Sequence, residues 1–181
     1  MDFCELIHTR QSVRSYEDRE VESWKIDKLI EAVRSAPSAS NSQPWKLIVV
    51  NDPEIKNNVA NATYSRLVSF NKFASQAPVI AVFTIEKAGI VTQVGAKLKD
   101  REFSLIDIGI AASQFCLQAA ELDLGTCMLG WFDEDAIKAQ LNIPARIRIG
   151  LVITLGYSNE PKRRKMRKKK EQMSSFNSYQ R

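Results

Sequence analysis

The chain has 181 residues, of which 44% are hydrophobic and 26% are charged, a composition near the average of a globular domain that excludes disorder as the main state. Lys and Arg outnumber Asp and Glu by 26 to 21, but eight of the basic residues fall within residues 162–170, so the total charge does not indicate a nucleic-acid-binding protein. The longest apolar stretches are shorter than the ~18 residues of a membrane-spanning helix, which predicts a chain that does not cross a membrane.

The first two predicted elements are helices. Asp2 and Glu5 have the spacing of a capping box, which predicts a short helix that ends near Thr9. A second helix is predicted over residues 22–35, because four apolar residues recur there at intervals of three and four. Pro37 closes this helix.

The next part of the chain contains two predicted strands. Residues 46–50 and 78–85 are short apolar runs rich in β-branched side chains, and both are expected to be central in the sheet. Residues 54–75, between them, are compatible with a helix but weakly patterned. Residues 87–101 have no clear period and are expected to form a loop or lid.

The strongest helix of the chain is predicted over residues 104–122, which show a wide apolar face. A strand over residues 126–130 follows it. A short helix between Asp133 and Pro144 comes next, and a long strand over residues 147–155 completes the order.

This order of elements predicts an α+β fold in which helices flank a central mixed β-sheet. We expect residues 1–170 to form one domain and residues 171–181 to form a C-terminal tail. The three cysteines are widely spaced, so we expect reduced thiols, two of them buried, and no metal site. The N-terminus has no features of a secretory signal, which favours a cytoplasmic protein.

Two arginines and a serine follow the first helix within five residues. In an extended segment Arg10, Ser12 and Arg14 point the same way and can converge on one anion, and guanidinium groups are well suited to phosphate. The alternative interpretation of these residues alone is a solvated turn between two helices.

A second polar cluster lies between Pro37 and Pro44. This loop offers backbone N–H groups, two side-chain amides and three hydroxyls, a set suited to a flat polar heterocycle and its polyol chain. The alternative interpretation is an ordinary turn between a helix and a strand.

Taken together and in order, these segments resemble the nitroreductase family of FMN-dependent enzymes. The resemblance extends to Asp-Ile-Gly-Ile-Ala-Ala at residues 107–112 and to Gly-Thr-Cys-Met-Leu-Gly-Trp-Phe at residues 125–132. Its most specific signal is Ser-x-Ser-Asn-Ser-Gln-Pro-Trp at residues 38–45. It covers residues 3–168, although residues 62–102 do not match clearly.

A final strand ending in Leu-Gly-Tyr and followed by a Lys-x-Arg is similar to the family's last strand and phosphate-binding tail. The resemblance implies FMN as cofactor, with its phosphate and pyrimidine edge held by two basic segments that contain Arg10, Gln11, Ser12, Arg14, Lys165 and Arg167. It implies that a loop of the partner subunit reaches the ribityl chain and ring with Pro37, Ser38, Ala39, Ser40, Asn41 and Gln43. An intertwined homodimer follows from such a shared site.

The resemblance also implies that the strand-end residues Leu129, Gly130 and Trp131 lie over the flavin near N5. A backbone N–H there can hydrogen-bond the atom that accepts and releases hydride, and a glycine permits the close approach. No catalytic side chain is predicted, because the cofactor supplies the reactivity and the chain has one histidine.

The implied function is hydride transfer from NAD(P)H through FMN to a nitroaromatic, quinone or similar small acceptor by a ping-pong cycle. The same fold also supports dehalogenation, heterocycle oxidation and flavin consumption, and the sequence does not separate these reactions. A third interpretation is a polyanion-binding module that uses residues 162–170. Nucleic acid is not expected to be the main partner, and no membrane partner is expected.

Overall fold

The computed structural model describes residues 1–87 and 102–179. The helices within these residues are α1 Phe3–Thr9, α2 Ser23–Arg34, α3 Pro53–Asn61, α4 Phe103–Glu121, α5 Glu134–Leu141 and α6 Lys170–Met173. The strands are β1 Trp45–Val50, β2 Val79–Ile85, β3 Gly125–Leu129 and β4 Arg148–Gly156. Two 3₁₀ turns lie at Ala39–Asn41 and Lys72–Gln76.

The four strands form one sheet in the order β1-β2-β4-β3, in which each neighbouring pair is antiparallel. Among the described strands, β1 and β3 are therefore the two edge strands. The prediction of a central strand is right for β2 and wrong for residues 46–50, which lie in β1. A parallel bridge between Ser12 and Thr126 lies beyond β3. The predicted α+β fold is confirmed, whereas the four described strands pair only in antiparallel fashion and the one parallel pairing among the described residues is this isolated bridge.

Both faces of the sheet are covered, which explains why β2 is a continuous apolar run. Alternate residues of a strand point to opposite faces, so Phe83 packs into the core with α2 and α4. Val82 packs on the other face with α3 and α5. Phe83 meets Phe115 of α4 edge to face, with ring centroids 6.1 Å apart. The sheet is thus the middle layer between two sets of helices.

Helix α4 is the one described helix that is long and apolar enough to cross a membrane by length and composition. Its contacts give another explanation of that composition. Eight of its 19 residues are buried, and six of these eight pack against α2 and the inner strands of the sheet. The helix is apolar because it forms the centre of the first core.

The predicted helices agree with the structure where a local signal marks their ends. The Asp2–Glu5 capping box is present at α1, and Asp133 caps α5 by accepting from the Ala136 amide. The weakly patterned residues 54–75 contain α3 and part of the second 3₁₀ turn. All three cysteines are free, and Cys116 and Cys127 are buried as predicted. The predicted loop over residues 87–101 lies outside the described residues except for Lys87.

Candidate functional site

The segment that follows α1 runs in an extended conformation beside the beginning of β3. The Val13 amide donates to the carbonyl oxygen of Thr126 at 2.9 Å, and the Val13 side chain is buried. Gly125 makes this approach possible, because a Cβ atom there would lie 2.7 Å from Cγ2 of Val13. Arg10 is half-buried and Arg14 is exposed on this segment.

The Ser12 side chain lies at the Cys127 thiol. Burial raises the pKa of Cys127, while the nearby charge of Arg14 and a hydrogen bond from Ser12 act in the opposite direction. The net pKa is raised, so the thiol is neutral near pH 7. The segment therefore presents arginines beside a buried neutral thiol.

The chain after β4 returns along the same segment and is fastened to it by Gln11, Glu160 and Arg163, which we call the tail clamp. The Gln11 side chain donates to the Pro161 carbonyl at 3.3 Å and accepts from the Arg163 amide at 3.0 Å. The Arg14 amide donates to the Glu160 carboxylate. The Arg163 guanidinium donates to the Ser12 carbonyl and pairs with Glu160 at 3.5 Å. The segment after α1 and the segment after β4 are thus held side by side.

The tail clamp was not predicted as part of the site. Gln11 was included only through the family resemblance, and Arg163 could not be distinguished from its basic neighbours in the run 162–170. Apart from the Arg163–Glu160 ion pair, these contacts join residues about 150 positions apart. A local pattern does not reveal such contacts.

The tail brings further cations close to Arg10. Burial and the positive charges of Arg10 and Arg167 lower the pKa of Lys165, and the Lys165 ammonium donates to the Ile7 carbonyl at the end of α1. Within residues 1–87 and 102–179, no carboxylate forms an ion pair with Arg10, Lys165 or Arg167. These three residues form what we call the cation cluster. It lies near a cavity of about 210 Å³ whose lining includes Arg10, Gln11, Thr126 and Lys162.

The predicted polar loop, residues 38–43, folds back on itself. The Gln43 amide donates to Oγ of Ser38 at 2.9 Å, and the Gln43 side chain donates to Oδ1 of Asn41 at 3.0 Å. Ser40, Asn41 and Gln43 have φ angles of 52°, 50° and 44°, a left-handed conformation that costs roughly 1–2 kcal/mol for a residue with a Cβ atom. Contacts must hold such a loop in place.

Helix α4 supplies one of these contacts. Asp107, in the second turn of α4, accepts a hydrogen bond from the Ala39 amide through Oδ1 at 3.1 Å. Asp107 is 3% exposed, so this carboxylate reaches the loop from inside the protein.

The polar loop and the cation cluster lie at opposite edges of the sheet. The loop leads directly into β1, whereas Ser12 borders β3. Three strand spacings separate those edges, or about 14 Å across the sheet. One chain does not bring the two groups of predicted residues together, and their meeting across a dimer remains a prediction.

The strand-end segment of residues 129–131 leaves the sheet at the end of β3. Leu129 is buried, and the space around Gly130 is open, since an added Cβ atom would meet nothing within 4 Å. Trp131 is 57% exposed. Its carbonyl accepts from the Asn71 side chain at 3.2 Å, and the same amide group donates to the Thr63 carbonyl at 3.1 Å.

Asn71 is buried and was not predicted as a site residue, because it acts on a segment 60 positions away. On the side of Trp131, a cavity of about 600 Å³ opens between α3 and α5. Its polar lining is mainly uncharged and includes Asn58, Asn61, Tyr64 and Gln140.

Comparison with known proteins identifies relatives of this chain. The Nitroreductase family model matches residues 7–157, which include the arginine segment, the polar loop and the strand-end segment but not Lys165 or Arg167. A protein of Archaeoglobus fulgidus with the provisional name NADH dehydrogenase/NAD(P)H nitroreductase is 31% identical over 90% of this chain and 89% of its own. A protein of Methanothermobacter thermautotrophicus with the same provisional name is 33% identical, over 88% of this chain and 79% of its own.

A solved structure of an FMN-dependent nitroreductase from Clostridium difficile R20291 is similar over the whole fold. It has a TM-score of 0.79 and 28% sequence identity, and the match covers 98% of this chain and 100% of the other.

Proposed function

Because the chain belongs to the nitroreductase family, we propose that it is an FMN-dependent oxidoreductase that passes hydride from NAD(P)H to a small acceptor such as a nitroaromatic or a quinone. Bound FMN supplies the hydride-carrying chemistry, in a cycle where NAD(P)H and the acceptor bind in turn. The names of similar proteins support FMN as the cofactor and NAD(P)H as the hydride donor. The solved structure is named an FMN-dependent nitroreductase, and the names of the two relatives include NAD(P)H nitroreductase.

The observation that carries this proposal is the cation cluster. Burial, together with the positive charges of Arg10 and Arg167, lowers the pKa of Lys165, and no described carboxylate pairs with any of the three residues. A phosphate group would neutralise this repulsion and accept charge-assisted hydrogen bonds from Arg10, and also from Arg14. The residues present therefore fit the phosphate of FMN.

Other residues would bind and orient the rest of the cofactor. The polar loop offers the amides of Asn41 and Gln43 and the hydroxyl of Ser40 to a polyol chain. Gly130 leaves its backbone N–H open to a flat ring, and Asn71 fixes the neighbouring carbonyl of Trp131. A backbone group held in this way binds without further ordering cost.

We propose a second copy of the chain as the partner that completes this site, because the two groups of site residues lie at opposite edges of one sheet. Helix α4 offers a surface for that contact. On its outward face Ile106 is 52% exposed, and the exposed Gly109 lies about one turn further along. A glycine allows close approach between helices. The free cysteines agree with the cytoplasmic location that we propose.

The visible spectrum of the purified protein tests the proposed function. We expect a yellow protein that keeps its colour in high salt, is bleached by NADH without oxygen and releases FMN on heating. A colourless protein that does not take up added FMN would contradict the proposal. Copurification of nucleic acid that is removed by salt would instead favour the polyanion-binding interpretation of residues 162–170.

A further inference from the structure

The buried carboxylate of Asp107 is only half used within its own chain. Oδ1 accepts from the Ala39 amide at 3.1 Å. Oδ2 is also buried and has no hydrogen-bond partner in the described part of the chain. Among the described residues, the one further buried side-chain oxygen or nitrogen without a hydrogen-bond partner is Oγ of Ser42, in the same polar loop. Both unpaired atoms thus belong to the joint between α4 and residues 38–43.

Anchoring the loop does not explain why this residue is an aspartate. Burying a carboxylate costs more free energy than burying a neutral amide, unless hydrogen bonds satisfy both of its oxygens. Asparagine would also accept from the Ala39 amide through its own Oδ1, in a weaker bond, and would bury no charge. The bond to Ala39 therefore does not explain the second carboxylate oxygen of Asp107, which is buried without a partner.

We propose that Oδ2 of Asp107 is a binding acceptor for an O–H or N–H donor that comes from outside the chain when the complete enzyme forms. This inference rests on the proposed function, which brings FMN and a second subunit to the loop that Asp107 holds. Two donors have the required chemistry: a hydroxyl of the flavin's ribityl chain and a polar group of the partner subunit. In either case the carboxylate of Asp107 would bind the polar loop through Oδ1 and the incoming donor through Oδ2.

The variant Asp107→Asn tests this proposal with little change in volume. The amide oxygen keeps the hydrogen bond from the Ala39 amide, while an NH₂ group replaces Oδ2. This group cannot accept a hydrogen bond, so the incoming donor loses its acceptor. We expect a thermal midpoint without FMN equal to or above that of the wild type, because a buried charge is removed. Assembly of the complete enzyme should weaken about tenfold or more. The control is Asp27→Asn, which changes an exposed carboxylate of α2 and should alter neither property.

Two titrations separate the possible donors. FMN titrated into each dimeric protein should bind at least tenfold more weakly to Asp107→Asn if the donor is a ribityl hydroxyl, with the dimer unchanged. Sedimentation without FMN should show a weakened dimer if the donor belongs to the partner subunit. Wild-type behaviour of Asp107→Asn in both measurements would overturn the proposal.

Failure of the wild type to bind FMN would instead contradict the proposed function, so the two failures are distinguishable. Asp107→Ser, which keeps a small acceptor for the loop, serves as a second variant. Loss of folding in both variants would contradict the proposal, because it gives Oδ2 no part in folding the free chain.

Discussion

Arg10 is the predicted site residue with the most local evidence, since it follows α1 directly and belongs to the cation cluster. Arg10→Ala should weaken FMN binding by about 1.5–3 kcal/mol, the range for a hydrogen bond to a charged group. Quenching of flavin fluorescence during titration measures this change. Arg146→Ala, which removes an exposed arginine between α5 and β4, is the control. An unchanged affinity for Arg10→Ala would remove this residue from the site.

Glu22 gives the structure a predictable response to acid. Tyr157 donates to the Glu22 carboxylate at 2.6 Å, and this hydrogen bond is the main cause of the lowered pKa of Glu22. Since the folded pKa is below the unfolded value of 4.5, the stabilisation is complete above that value and is lost as the pH falls through the folded pKa.

Urea unfolding at pH 7 and near pH 3.5 should therefore show a smaller acid-induced loss of stability for Glu22→Gln than for the wild type. Glu20→Gln, at a nearby exposed position, should behave like the wild type. An identical pH dependence for Glu22→Gln and the wild type would show that the Tyr157 contact does not stabilise the fold.

At the scale of single residues, the sequence revealed those with a local pattern and missed those that act across the fold. Arg10, Ser12 and Arg14 are visible as alternating polar residues. Arg163 and Asn71 are not, because their partners are about 150 and 60 positions away. Their roles follow from the pairing of distant segments, which only the folded chain displays.

The basic residues 162–170 distinguish the two interpretations of the protein, an FMN-dependent enzyme and a polyanion-binding module. If Lys165 and Arg167 hold phosphate, Lys165→Ala combined with Arg167→Ala should weaken FMN binding about tenfold or more. The triple alanine variant of Lys168, Lys169 and Lys170 should keep wild-type affinity. A titration of FMN against both variants measures the difference.

The opposite interpretation predicts that all the basic residues contribute about equally to DNA affinity and that each loss reduces the salt slope by about one. If the double variant binds FMN with wild-type affinity, Lys165 and Arg167 do not bind the FMN phosphate. The assignment needs this test because the family match ends at residue 157.

Elements were predictable where the chain carries its own signals. Asp2 and Asp133 cap α1 and α5 through their side chains, and α4 shows a long apolar face. Helix α3 was less clear, because it is nine residues long and buries even Lys56. That lysine donates to the Ser75 carbonyl at 2.9 Å. Tertiary contact thus decides the burial of a residue that its polarity would place outside.

The whole molecule is expected to be stable as a dimer with an interface above ~2,000 Å². Dilution should lower the thermal midpoint, because folding is then coupled to association. Scans over a hundredfold range of protein concentration, combined with sedimentation, check this expectation. A monomer that still holds FMN would contradict it.

A mixed dimer tests the central claim most directly, since that claim is a single FMN site built from the cation cluster of one subunit and the polar loop of the other. One subunit carries Arg10→Ala, and its partner carries Ser40→Glu, which places a negative charge at the exposed tip of the loop. Each variant alone should form dimers that bind FMN weakly. In the mixed dimer both changes fall in one site, so the other site is intact and should bind one FMN per dimer with wild-type affinity. Weak binding at both sites of the mixed dimer would show that the cluster and the loop serve the same site within one chain, which would contradict the account.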